Sequence, residues 1–118
     1  MKNAAADYAV DQITAANDYE PDIVEGTQVG EFRQLEPDAD TEGLRLDASI
    51  WRSEPATYDY EFATDEAFHV LEGAVVIELP DAGDTVELRA GDVAYFRAGT
   101  RSVWTITEPF KKFVVMPS

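Results

Sequence analysis

From about residue 28 onward the sequence alternates with a two-residue period, and this rhythm constrains the fold more than any other feature. "LRLDASIW" puts Leu44, Leu46, Ala48 and Ile50 on one face. "TYDYEF" puts Tyr58, Tyr60 and Phe62 on one face and Asp59 and Glu61 on the other. Successive side chains of a strand point to opposite sides, so such segments suit a sheet with one buried face. "VVIEL" and "TVEL" flank "PDAGD", a loop of hairpin length and composition, and "RAGD" at 89–92 marks a second turn. "VAYF", "VWTI" and "KKFVVM" follow at short spacing. Helix caps and 3.6-residue periods are missing after residue 26. Many short strands separated by Gly, Pro and Asp turns predict an all-β sandwich or jelly roll.

The residues before this rhythm read differently. "AAADYAVDQITAAN" suits one or two helical turns, or a segment lying across the barrel surface. The expected organisation is an N-terminal arm over 1–26, ordered or serving as an edge strand, and one barrel over 27–118. A length of 118 residues fits a single domain and one hydrophobic core.

Composition narrows the function. Nine basic against 24 acidic residues give a net charge of −15, which repels phosphate backbones and anionic lipid surfaces. Neither nucleic acid nor membrane is therefore an expected partner. With no cysteine there is no disulfide or zinc-thiolate site. Asp7, Asp11 and Asp18 interrupt the N-terminal apolar residues, so no signal-peptide core is read there, and no apolar run approaches the ~20 residues of a bilayer span. The expected location is the cytoplasm.

Two stretches carry a family pattern. "EAFHVLEG" has a glutamate, six residues and a glycine, and "GDVAYFRAG" runs from Gly91 to Gly99. They resemble the first and second motifs of the cupins, although Arg97 stands where the second motif usually has proline. The ending "RAGTRSVWTITEPFKKFVV" resembles the small cupin-3 group, which is related to ureidoglycine aminohydrolases. Over roughly residues 44–116 the resemblance implies a cupin (RmlC-like) jelly-roll barrel of antiparallel strands. It also implies a homodimer, with "GLRLDASIW" and "KKFVVMPS" as strands able to pair between subunits.

Metal-binding cupins place two histidines before the first-motif glutamate and another after the second motif. Carried over, those positions are Tyr60 and Phe62 in the register that the alternation favours, or Asp59 and Glu61 in the other. The late histidine falls on Ser102. Of the four ligands only Glu66 is present. His69, the sole histidine, is three residues from Glu66 and so points to the opposite face of a regular strand. No cofactor is expected, with Mg²⁺ or Ca²⁺ on oxygen ligands such as Asp59, Glu61 and Asp65 as the open alternative.

An inward carboxylate without a metal needs compensation, because burying it unpaired costs several kcal/mol or forces protonation. The candidate partners of Glu66 are the Tyr60 hydroxyl, Ser102, the Trp104 indole and one of Arg33, Arg52, Arg97 or Arg101. Glu66 and Tyr60 are the candidate catalytic pair, and Phe62, Ser102, Trp104, Arg97 and Arg101 the candidate ligand contacts. Arg97 and Arg101 would suit an anionic substrate near the rim. The chain is therefore read as a small-molecule-binding cupin with a degenerate metal site. The alternative is an enzyme acting on a small nitrogenous or carboxylated metabolite, either by metal-independent acid–base chemistry or in the manner of ureidoglycine aminohydrolases.

Overall fold

The computed structural model describes residues 9–12, 18–35 and 46–117, and the helical reading of residues 4–17 lies largely outside them. Eight strands form in chain order: β1 (Glu20–Val24), β2 (Thr27–Leu35), β3 (Leu46–Ser53), β4 (Ala56–Glu61), β5 (Glu66–Leu79), β6 (Asp84–Arg89), β7 (Val93–Phe96) and β8 (Arg101–Pro117). All their pairings are antiparallel. Among the described residues no helix is long and apolar enough to cross a membrane.

Two long strands organise the sheet. β5 and β8 pair with each other over most of their length. On its other edge β8 meets β4 with its first half and β3 with its second. β5 likewise meets β7 first and β6 later. The β5–β8 register slips between Val70 and Val75, and bulges of this kind bend a sheet and increase its twist. Gly73 sits at the bend with φ +83°, where a Cβ would lie 2.1 Å from the Pro109 carbonyl oxygen. Only glycine permits that approach. The strands thereby wrap around one core of Phe62, Phe68, Val70, Val75, Ile77, Leu88, Trp104, Ile106, Phe110 and Val114. The result is the all-β jelly roll that the alternation predicts.

β1 lies within the segment read as an arm. It forms a hairpin with β2 and extends the sheet at that edge. β3 and β8, read as strands able to pair between subunits, pair with each other within the chain from Leu46–Pro117 to Ser53–Phe110. Among the described residues β2 covers the second edge of β3 from Ala48 to Arg52.

Candidate functional site

The site begins with strand parity. Glu66, Phe68 and Val70 face inward and are buried, while His69 is exposed. Pairing with β8 is continuous from Ala67 to Val70, so no bulge brings His69 back to the face of Glu66. β4 half-buries Tyr58 and Tyr60 and exposes Asp59 and Glu61, and of these two Asp59 still reaches the barrel cavity. On β8 the inward face carries Phe110, Lys112 and Val114.

Glu66 is only 2% exposed, and both its oxygens are engaged. The Tyr60 hydroxyl donates to Oε1 at 3.0 Å. The Lys112 ammonium donates to Oε2, also at 3.0 Å. Lys112 stands opposite Trp51 on β3 and Val70 on β5. Its Nζ lies 4.5 Å from the Phe68 ring centre, 4.6 Å from that of Trp104 and 5.1 Å from that of Trp51. Ring faces attract cations, so this aromatic cage offsets part of the cost of removing an ammonium from water.

Trp51 is itself held by the N-terminal hairpin. Its indole N–H donates to the Val29 carbonyl at 3.0 Å and to Asp22 Oδ2 at 3.2 Å. Gly30 makes this possible, since a Cβ there would lie 2.6 Å from the Trp51 ring and the residue has φ +85°. Burial dominates the titration of the group. It pushes the Asp22 carboxyl up, and it pushes the Tyr60 phenol up with further help from the Glu66 charge. It pushes the Lys112 ammonium down, against the opposing pull of Glu66.

Asp22, Trp51, Tyr60, Glu66, Trp104 and Lys112 line an open-mouthed cavity of about 310 Å³. Its aromatic wall is Trp51, Tyr58, Tyr60, Trp104 and Phe32, and its apolar floor includes Val29, Val114 and Met116. Its carboxylates come from Asp22, Asp47, Asp59 and Glu66, and its ammonium from Lys112. Asp47 accepts a hydrogen bond from Gln34, which also donates to the Ala48 carbonyl.

The residues read as site residues divide. Glu66, Tyr60 and Trp104 meet at the cavity. Phe62 does not line it: the ring is wholly buried, stacked on Phe96 at 4.8 Å and edge-on to Tyr60 at 4.7 Å. Ser102 is buried in a local bridge, donating to the Tyr60 carbonyl at 2.7 Å and accepting from the Trp104 indole at 2.9 Å. That bridge holds Tyr60 and Trp104 in place rather than facing the cavity. Arg97 and Arg101 lie outside the site. Arg101 is exposed and makes a two-pronged pair with Asp81 at 2.7 and 3.0 Å, while Arg97 is exposed beyond β7. Arg52 and Arg33 pair with Glu31 and Asp11. The partner of Glu66 is therefore none of the four arginines but a lysine.

The donor set does not fit a cupin metal. The four ligand positions hold a phenol bound to Glu66, a phenyl ring, a carboxylate paired with an ammonium, and a hydroxyl used by its neighbours. Among the described residues no three His, Cys, Asp or Glu side chains group to hold a metal ion. The cation facing Glu66 is Lys112. Parity gave a signal for it: in "FKKFVVM" the inward residues Phe110 and Val114 flank Lys112, not Lys111.

A jelly roll with an inward first-motif glutamate at its cavity defines a cupin. The model of the EutQ-like cupin domain matches residues 42–113, and the chain belongs to that family. A DUF861 family protein from Thermotoga maritima is 32% identical, with 55% of this chain and 73% of that one covered and a TM-score of 0.53. The Clostridium difficile EutQ protein is 17% identical, with coverage of 79% and 71% and a TM-score of 0.64. The polyketide cyclase RemF from Streptomyces resistomycificus is 22% identical, with coverage of 92% and 80% and a TM-score of 0.67. The last two likenesses concern the fold alone. A search of the curated proteins returns no match.

Proposed function

We propose that the protein binds a small molecule in the barrel cavity, without a metal, and that the ligand contacts the Tyr60–Glu66–Lys112 centre. The observation that carries this reading is the buried ion pair at the wall of an aromatic-lined cavity. Cavities of a few hundred Å³ with apolar walls and a few convergent polar groups are the usual form of small-molecule sites. Three aspartates add negative charge to an ion pair that is already neutral, and among the described residues no arginine lines the cavity. The field therefore favours a neutral or cationic ligand over the anion expected from Arg97 and Arg101.

A panel of small neutral, cationic and carboxylate compounds, screened by thermal shift on wild type and Glu66→Gln, tests the reading. Neutral or cationic compounds should stabilise the wild type and lose most of that effect in the variant. Equal stabilisation of both proteins would place the ligand elsewhere.

A second reading, an enzyme on a small nitrogenous or carboxylated metabolite, is favoured by the same hydrogen-bonded chain. A phenol, a carboxylate and an ammonium in contact can pass a proton during acid–base chemistry. Ureidoglycine aminohydrolase-like turnover belongs to this reading. Product formation lost in Glu66→Gln with the fold intact separates it from simple binding. The homodimer expected from the family resemblance is part of the proposal, and light scattering of the eluted protein checks it.

A further inference from the structure

The ion pair at the cavity contains a group that binding alone does not require. An ammonium could neutralise Glu66 from a wet surface position, yet Lys112 is 7% exposed, lines the cavity and is ringed by Trp51, Phe68 and Trp104. We propose that Lys112 is a nucleophile toward carbonyl compounds, and that a small aldehyde or unhindered ketone entering the cavity condenses with its amine to a reversible imine. This rests on the cavity being the ligand site.

The geometry supplies each part of the reaction. Glu66 Oε2, 3.0 Å from Nζ, is placed to take a proton from the ammonium and leave a neutral amine. The nitrogen lone pair then adds to the carbonyl carbon, forming a C–N bond while the C=O π electrons move to oxygen. The proton displaced from nitrogen passes to that oxygen through the Glu66 carboxyl, giving a neutral carbinolamine. A second transfer takes the remaining N–H proton to Glu66 and delivers one to the hydroxyl, which departs as water while the lone pair closes the C=N bond. One carbonyl and one amine give one imine and one water, with no oxidant or reductant. The Tyr60 hydroxyl, 3.0 Å from Oε1, donates to the same carboxylate throughout. Burial holds the Lys112 ammonium below its ordinary value of 10.5, which increases the fraction of free amine at neutral pH. A neutral carbonyl compound with an apolar body also suits a cavity whose surplus charge is negative.

The sequence makes the test clean. It contains no cysteine to compete for an aldehyde, and its lysines are Lys2, Lys111 and Lys112. Lys111 is an adjacent control, paired with Glu72 at 3.3 Å and absent from the cavity lining.

Full-length protein at pH 7 would be treated with butanal or benzaldehyde and cyanoborohydride, and the alkylated amines mapped by peptide mass spectrometry. In parallel, melting temperatures would be recorded with the same aldehydes and no reductant. The expected result is alkylation of Lys112 at least tenfold faster than of Lys111, and its loss in Lys112→Arg. The wild-type comparison stands even where that variant does not fold. A melting shift with no preference for Lys112 would overturn the imine and leave the cavity reading intact. Neither a shift nor an adduct at Lys112 would overturn both.

Discussion

Lys112 and Glu66 are 46 residues apart in sequence, yet form an ion pair of 3.0 Å in which each side chain is more than nine-tenths buried. A pair so enclosed gains strong Coulomb attraction but forfeits hydration, so its presence says less about stability than its disruption does. Lys112→Met leaves a buried carboxylate whose remaining partner is Tyr60. We expect a loss of about 3–5 kcal/mol, read from urea unfolding. Adding Glu66→Gln to that variant should recover on the order of 2 kcal/mol, because the two changes share one interaction. Strictly additive losses would mean that the pair does not act as a unit.

The same burial fixes a pH response. The unfolded chain keeps Lys112 protonated up to its ordinary value of 10.5, whereas the folded chain releases that proton at lower pH. Between those two values the unfolded state binds more protons, so rising pH favours the folded state. Tyr60 acts in the opposite sense. Its folded value lies above 10.0, so the folded state holds the extra proton and stability falls as pH rises past 10.0. Melting curves should therefore show a wild-type advantage over Lys112→Met that grows as pH rises toward 10. A constant difference would place Lys112 in water.

Gly30 lets the hairpin approach the Trp51 ring at the cavity wall. Gly30→Ala strains a backbone at φ +85° and drives a methyl group against the Trp51 ring. We expect destabilisation of about 1–3 kcal/mol, with a change in tryptophan fluorescence and weaker binding in the cavity. Gly83→Ala is the control. It has φ +69° with no atom within 4 Å of the added carbon, so it should cost roughly 1 kcal/mol and leave the fluorescence unchanged.

Arg97→Ala and Arg101→Ala should leave cavity binding unchanged. Arg101 is held by Asp81 on the surface, and neither guanidinium lines the cavity. A tenfold loss of affinity in either variant, measured by titration calorimetry, would mean that the ligand lies at the rim beyond β7.

Much of this arrangement was legible in the sequence. Strict alternation fixed the inward faces of β4 and β5, and with them the positions of Tyr60, Glu66 and His69. Parity survives because no bulge interrupts β5 between 66 and 70. What the pattern concealed was chemistry that contradicts ordinary residue preference. Lysine is almost never buried unless paired, so residue preference alone does not point to the second lysine of "KKF" as the other half of the Glu66 site. Asp22 was hidden for a different reason. It comes from the hairpin before the periodic region, and only the β1–β2 pairing carries it to Trp51. Phe62 and Ser102 were placed on the correct face, yet facing inward does not distinguish a cavity wall from the core beneath it.

The arrangement of β8 between its neighbours has a consequence for how the molecule comes into being. Until that strand has been synthesised, β5 lacks its longest partner, β3 and β4 have an open edge, and Glu66 has no counter-charge. Contacts so distant in sequence impose a large loop-closure cost and slow folding. A nascent chain that has emerged only through β7 therefore exposes unpaired strand edges and much of its apolar face. Arrival of β8 closes the sheet and supplies Lys112 in the same event, so the site assembles when the fold does.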